Sequence, residues 1–225
     1  MNKTDLGILF DCDGTLTNSL DQALESFVIT FQELGLTHIT EEEILKLFGI
    51  SADKILRHFV GNDQEKSALA FNIFLSTQKK LALKTKLHIG ISVVIDAFVQ
   101  MKIPMGIVTG RHAADLDILL SPHGLAEFFP VKICDNMVAK PKPDPQGIWM
   151  ACQYLDKKPE RMLYIGDSVV DIQAAHASGC TSVAALWDSH TNESALLAEN
   201  PAYCIRHPEE LLEVWADFKQ KSRSN

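Results

Sequence analysis

Leu6-Gly7-Ile8-Leu9-Phe10-Asp11-Cys12-Asp13-Gly14-Thr15 is the stretch whose reading decides the fold. A short apolar run stops at once against two carboxylates and a glycine. A run that is apolar throughout suits a parallel strand buried on both faces. The polar loop after it then begins at the carboxyl end of that strand, the side on which open α/β sheets bind ligands. Side chains alternate along extended backbone, so Asp11 and Asp13 share one side and Cys12 faces the core.

Downstream, the spacing turns helical. Apolar residues at 20, 24, 27, 28, 31 and 34 predict an amphipathic helix capped by Gly35. Thr40 and Glu43 form a capping box that opens a second helix, closed by Gly49. Ser51 is placed to cap a third helix ending near Val60 and Gly61, and Leu69, Ile73, Phe74, Thr77 and Leu81 share one side of a fourth. Residues 18–87 therefore read as four helices with no strand.

After residue 87, strands and helices alternate. Strands are expected at Ile103–Val108, Val131–Cys134, Met162–Ile165, Ser182–Leu186 and Tyr203–Ile205. Helices are expected at Ile91–Met101, Ala113–Leu120, Gln146–Leu155, Val170–Ala177 and Glu193–Ala198, with a last one around Leu211–Phe218 and a frayed polar tail over Lys219–Asn225. The alternation predicts an α/β fold: a Rossmann-like, doubly wound parallel sheet. The helical block interrupts it after the first strand and reads as an inserted all-α domain. The expected division is a core of 1–17 and 88–225 and an insertion of 18–87, about 155 and about 70 residues.

Composition sets outer bounds. The chain has 225 residues, 21 Lys+Arg against 29 Asp+Glu, and a formal net charge of -8. That balance argues against nucleic acid and against anionic membrane surfaces. The most apolar long stretch, Ile89–Val108, holds Asp96, Lys102 and Pro104, so no membrane span is expected. Gly7–Phe10 is too short for a signal peptide. The five cysteines (12, 134, 152, 180 and 204) show no paired spacing and read as free, buried thiols of a cytoplasmic protein. A monomer or homodimer is expected.

Four strand ends carry specific chemistry: Asp11-Cys12-Asp13-Gly14-Thr15, Thr109-Gly110-Arg111, the loop with Lys140 and Lys142, and Gly166-Asp167-Ser168 with Asp171 one turn on. Two unit charges about 4 Å apart repel by roughly 4 kcal/mol at intermediate dielectric, so converging carboxylates call for a cation. Oxygen ligands without His or Cys suit magnesium. A cation, a lysine, a hydroxyl and a spare carboxylate suit phosphoryl transfer, where catalysis is mostly positioning and charge stabilisation.

These motifs, in this order, resemble those of the haloacid dehalogenase-like hydrolases: DCDGTL at 11–16, the Thr109 strand end, the Lys-Pro-x-Pro loop and GDSVVDI at 166–172. The helical block resembles the α-helical cap of the phosphoglycolate phosphatase and β-phosphoglucomutase branch. The resemblance implies a magnesium-dependent phosphatase that hydrolyses the phosphomonoester of a small metabolite through an aspartyl-phosphate. Phosphoglycolate is the leading substrate, and a phosphomutase or pyrophosphatase is the alternative.

By the same resemblance, Asp11 is the nucleophile and a magnesium ligand. Asp13 is the acid/base residue and binds magnesium through its carbonyl. Thr109 and the amide of Gly110 hold phosphoryl oxygens. Asp167 is the side-chain metal ligand, and Asp171 supports the metal site from behind. Lys142 is preferred to Lys140 as the phosphate-facing lysine, because helical apolar residues begin at the expected distance from it. Arg111 either reaches a substrate anion or starts a helix at the surface. The Leu47–Ser51 turn either faces the active site or is a plain connector. Lys54, Arg57 and His58 read as a solvated helix face, and no histidine is given a role.

Overall fold

The computed structural model describes residues 5–223. Six parallel strands form the central sheet: β1 (Gly7–Phe10), β4 (Met105–Thr109), β5 (Val131–Cys134), β6 (Met162–Gly166), β7 (Thr181–Ala185) and β8 (Tyr203–Ile205). Their order is β5-β4-β1-β6-β7-β8. The strand carrying the deciding motif thus lies in the middle, between β4 and β6. Chain order reverses at β1, and such a switch point opens a crevice at the carboxyl ends of the strands.

Alternation along β1 divides the core into two layers. Ile8, Phe10 and Cys12 enter one apolar cluster with Met105, Ile107, Leu163 and Ile165. Leu9 enters the other, with Val108, Ile133 and Tyr164. Burying an aliphatic or aromatic side chain of this size contributes roughly 1.5–3 kcal/mol. Helices α5 (Ile91–Gln100), α6 (Ala113–Leu120), α7 (Gln146–Tyr154), α8 (Val169–Ser178), α9 (Glu193–Ala198) and α10 (Leu211–Lys221) follow the strands. Among the described residues, no helix is long and apolar enough to cross a membrane.

Between β1 and α5 lie α1 (Leu20–Glu33), α2 (Glu41–Leu45), α3 (Ala52–Val60) and α4 (Gln64–Leu81). They share a separate apolar cluster built on Phe27, Phe31, Ile44, Ile55, Leu56 and Phe74. The Phe27 and Phe74 rings lie 4.6 Å apart, and Phe31 and Phe59 meet edge to face at 5.1 Å. Polar residues also enter this interior. Gln22, Ser26 and Thr30 are buried, with Ser26 and Thr30 donating back to the carbonyls one turn earlier.

Several expectations are corrected. Residues 18–87 contain strand: β2 (Thr17–Asn18) pairs antiparallel with β3 (Lys86–Leu87), tying together the two chain crossings between helical block and sheet. The second helix ends at Leu45, and turns fill the span to Gly49, whose φ is 110°. Ser51 stands at the N-cap of α3 without a side-chain hydrogen bond there. Asp63, unremarked in the sequence, caps α4 by accepting from the Glu65 and Lys66 amides. The final helix runs through Lys221, so Lys219 to Lys221 are helical; Ser224 and Asn225 lie outside the described residues. Cys204 is exposed, while the other four thiols are buried, and all five are free.

Candidate active site

Four neighbouring strands, β5, β4, β1 and β6, deliver the site. The Asp11 amide donates to Ile165 O at 2.8 Å, extending the β1–β6 ladder one residue into the motif. The chain then turns tightly, with Leu16 and Thr17 amides both donating to Cys12 O at 2.8 and 3.0 Å. Gly14 makes this turn at φ 73°, and a Cβ there would stand 2.2 Å from Asp167 Oδ2. The absent side chain is what lets the loop after β1 approach the loop after β6. Thr15 Oγ1 donates to Asp167 Oδ1 at 2.9 Å, fixing that carboxylate from the same loop.

Carboxylate oxygens of Asp11, Asp167 and Asp171 all lie within 4.8 Å of one another. Burial raises the Asp11 carboxyl to about 7, against the pull of Lys142. Burial, with Asp171 and Asp11 nearby, holds Asp167 well above the ordinary carboxylate range. Two neighbouring carboxyls that resist ionisation, Asp11 buried and Asp167 half-buried, form a site that a divalent cation would relieve. Hard oxygen donors without imidazole or thiolate fit magnesium or calcium and not zinc.

Lys142 Nζ lies 2.8 Å from Asp11 Oδ1 and 2.6 Å from Asp171 Oδ1. Burial disfavours its charge, but the two carboxylates raise its pKa well above the usual lysine value, so it is a fixed cation. Lys140 is exposed, and its amide donates to Gln146 Oε1 at 2.9 Å.

Asp171 also accepts from the Ser168 amide at 3.1 Å and from the Ser168 hydroxyl. Tyr164 Oη sits 3.0 Å from both Asp171 Oδ1 and Val108 O, and its one proton serves one of them at a time. With donors on both oxygens, Asp171 chiefly anchors the lysine and the β6–α8 turn. Thr109, at the end of β4, is buried, and its Oγ1 accepts from the Arg111 amide at 3.2 Å. Gly110 lies beside Gly49 of the Leu47–Ser51 turn: a Cβ on Gly110 would meet Gly49 O at 3.4 Å.

Arg111 is not at the surface, and in this structure carboxylates engage its guanidinium. It is 6% exposed. Its Nε and Nη2 donate to Asp13 at 2.6–3.0 Å, and Nη1 donates to Asp115 Oδ2 at 2.6 Å. Burial works to raise the Asp13 pKa, but the guanidinium charge and hydrogen bonds, with Ser19, hold it below the ordinary value. The i,i+4 spacing of Arg111 and Asp115 was available in the sequence; the reach to Asp13 was not.

Sequence reasoning also missed His190. Its ring lies 3.1 Å from Asp21 at the start of α1 and 3.1 Å from Asp188 after β7. Above these groups a cavity of about 680 Å³ separates the helical block from the sheet. Asp11, Asp13, Thr109, Gly110, Arg111, Lys142 and Asp167 line its floor, and Phe48, Gly49 and Ile50 reach it from above. The Leu47–Ser51 turn therefore faces the site.

A model of haloacid dehalogenase-like hydrolases matches residues 8–185. The chain belongs to the haloacid dehalogenase-like hydrolase family. Among curated members, it is 29% identical to a phosphoglycolate phosphatase of Photobacterium profundum, over 92% of this chain and 94% of that protein. It is also 29% identical to the pyrophosphatase PpaX of Listeria monocytogenes, over 97% and 93% of the two chains. The fold matches the crystal structure of a predicted phosphoglycolate phosphatase from Haemophilus somnus, with a TM-score of 0.82 at 20% identity, covering 95% of this chain and 99% of that one. The hydrolase family fold thus accounts for the sheet order and for the helical block over its carboxyl edge.

Proposed function

We propose that this protein is a magnesium-dependent phosphatase of small phosphomonoesters, working through an aspartyl-phosphate on Asp11. The observation that carries the reading is the convergence of Asp11, Asp167 and the Lys142 ammonium within one buried cluster open to the cavity. The names of the curated relatives make phosphoglycolate the reference substrate. Asp11 and Asp167 would hold magnesium, with the Asp13 carbonyl completing the protein ligands. Bound there, magnesium would neutralise phosphoryl charge and the charge of Asp11 itself.

In this mechanism an Asp11 oxygen attacks phosphorus, and the ester P–O bond breaks. Asp13, which Arg111 and Ser19 hold below the ordinary carboxylate value, first takes up a proton from solvent and then passes it to the departing oxygen. Asp13 then takes a proton from water, whose oxygen attacks the phosphorus of the aspartyl-phosphate, releasing phosphate and restoring Asp11. Lys142, Thr109 Oγ1 and the Gly110 amide hold the equatorial oxygens. Residues 18–87 act as a cap over the core of 1–17 and 88–225, with the β2–β3 pair as its hinge and the cavity as the space it closes. Free thiols fit a reducing compartment, and we place the protein in the cytoplasm, acting on a small phosphorylated metabolite.

The test is phosphate release from phosphoglycolate and p-nitrophenyl phosphate with magnesium. Both are expected to turn over, and Asp11→Asn is expected to abolish it. Turnover undiminished in Asp11→Asn would refute the nucleophile.

A further inference from the structure

The cap side of the cavity is apolar beyond what the cap's own packing needs. Leu24, Phe27, Leu45, Phe48, Ile50 and Ile55 all line it. Leu45 and Ile50 stand 43% and 41% exposed there, and Leu24 is only half-buried. The apolar stripe of α1 is thus shared between the cap interior and the cavity wall, while buried Gln22, Ser26 and Thr30 occupy interior positions.

Among the described residues, the cap side of the cavity carries no lysine or arginine. Lys54 Nζ lies 2.7 Å from Asp135 Oδ2 of the core, and Arg57 pairs with Asp53 on its own helix. The basic side chains that do line the cavity are already engaged: Lys142 with Asp11 and Asp171, Arg111 with Asp13 and Asp115, and the His190 ring between Asp21 and Asp188. A second anionic group on a substrate would lose water without gaining a free cation, and Asp21 and Asp115 would repel it. About 680 Å³ is also the size of cavity that encloses a medium-sized organic molecule.

We infer that this site selects phosphomonoesters whose leaving group is uncharged and apolar, several carbons in extent, seated against the wall formed by Leu24, Phe27, Phe48 and Ile50. The inference rests on the phosphatase reading above and adds the substrate class to it.

The test is kcat/KM with magnesium for ethyl, butyl and hexyl phosphate, whose leaving groups have matched basicity, beside phosphoglycolate and acetyl phosphate. Each buried methylene is expected to raise kcat/KM by up to about threefold to fourfold. Hexyl phosphate should exceed phosphoglycolate by more than tenfold. Ile50→Lys, at a position exposed enough to accept charge, should lower hexyl phosphate turnover and raise that of phosphoglycolate. A flat alkyl series, or a preference for phosphoglycolate, overturns the inference. If acetyl phosphate, which offers the cap almost nothing, still turns over in that case, the phosphatase reading stands by itself. Failure of every compound overturns both.

Discussion

Replacing the proposed nucleophile by its neutral isostere should stabilise the metal-free protein, and do so in a pH-dependent way. The Asp11 carboxyl sits at about 7 in the fold against 3.8 for an ordinary aspartate. Burial causes the rise, outweighing Lys142 at 2.8 Å. A raised folded-state value means stability fully present below 3.8 and lost as pH rises through about 7. The full loss is about 4 kcal/mol above that range and under 2 kcal/mol near pH 5. The amide introduced by Asp11→Asn does not titrate. The pull of Lys142 on the ionised carboxylate is already contained in the value of about 7, so it adds no separate pH dependence.

Asp11→Asn should therefore gain about 2–3 kcal/mol more at pH 8 than at pH 5. For a chain of this length that is a difference of about 5–10 °C in the two Tm shifts. Thermal unfolding of both proteins in a chelator, at the two pH values, measures it. An equal shift at both pH values, or a larger gain at pH 5, would refute the assignment of buried charge to Asp11.

Magnesium affinity, followed by calorimetry, should fall as pH drops below about 7, by up to tenfold per pH unit, because the cation must displace the Asp11 proton. Gly14→Ala should weaken magnesium binding by at least tenfold and lower stability by about 1–2 kcal/mol, since φ is 73° and the new Cβ would stand 2.2 Å from Asp167 Oδ2; excess magnesium should recover part of the lost turnover. Arg111→Gln removes the guanidinium that holds Asp13 down. In a pH–rate profile, the limb on which Asp13 loses its proton should then move to higher pH.

Strand ends were legible because buried parallel strands are short, uniformly apolar and abruptly terminated, as Phe10-Asp11 and Ile165-Gly166-Asp167 show. The long helices were legible because their apolar spacing is regular. The β2–β3 pair was not, since strands of two residues carry no period and Thr17 and Leu87 meet only in three dimensions. Around the site, Asp11, Asp13, Asp167 and Lys142 stand at recognisable places in their motifs. Their partners do not. Tyr164 looks like any strand residue until its hydroxyl is found between Val108 O and Asp171. One of the two readings of Arg111 put it at the surface, because a charged residue opening a helix is usually solvated; its burial follows from two carboxylates brought by different elements. His190 acquires its place only when Asp21 of the cap lies across from it.

The central claim is covalent: the phosphoryl group passes through Asp11. Single-turnover reaction with magnesium and acetyl phosphate, quenched in acid and digested for mass spectrometry, tests it most directly. The predicted result is one added phosphoryl group on the peptide containing Asp11, appearing before phosphate is released at steady rate and absent from Asp11→Asn. Phosphate release at the normal rate with that peptide unmodified at every time point would contradict it.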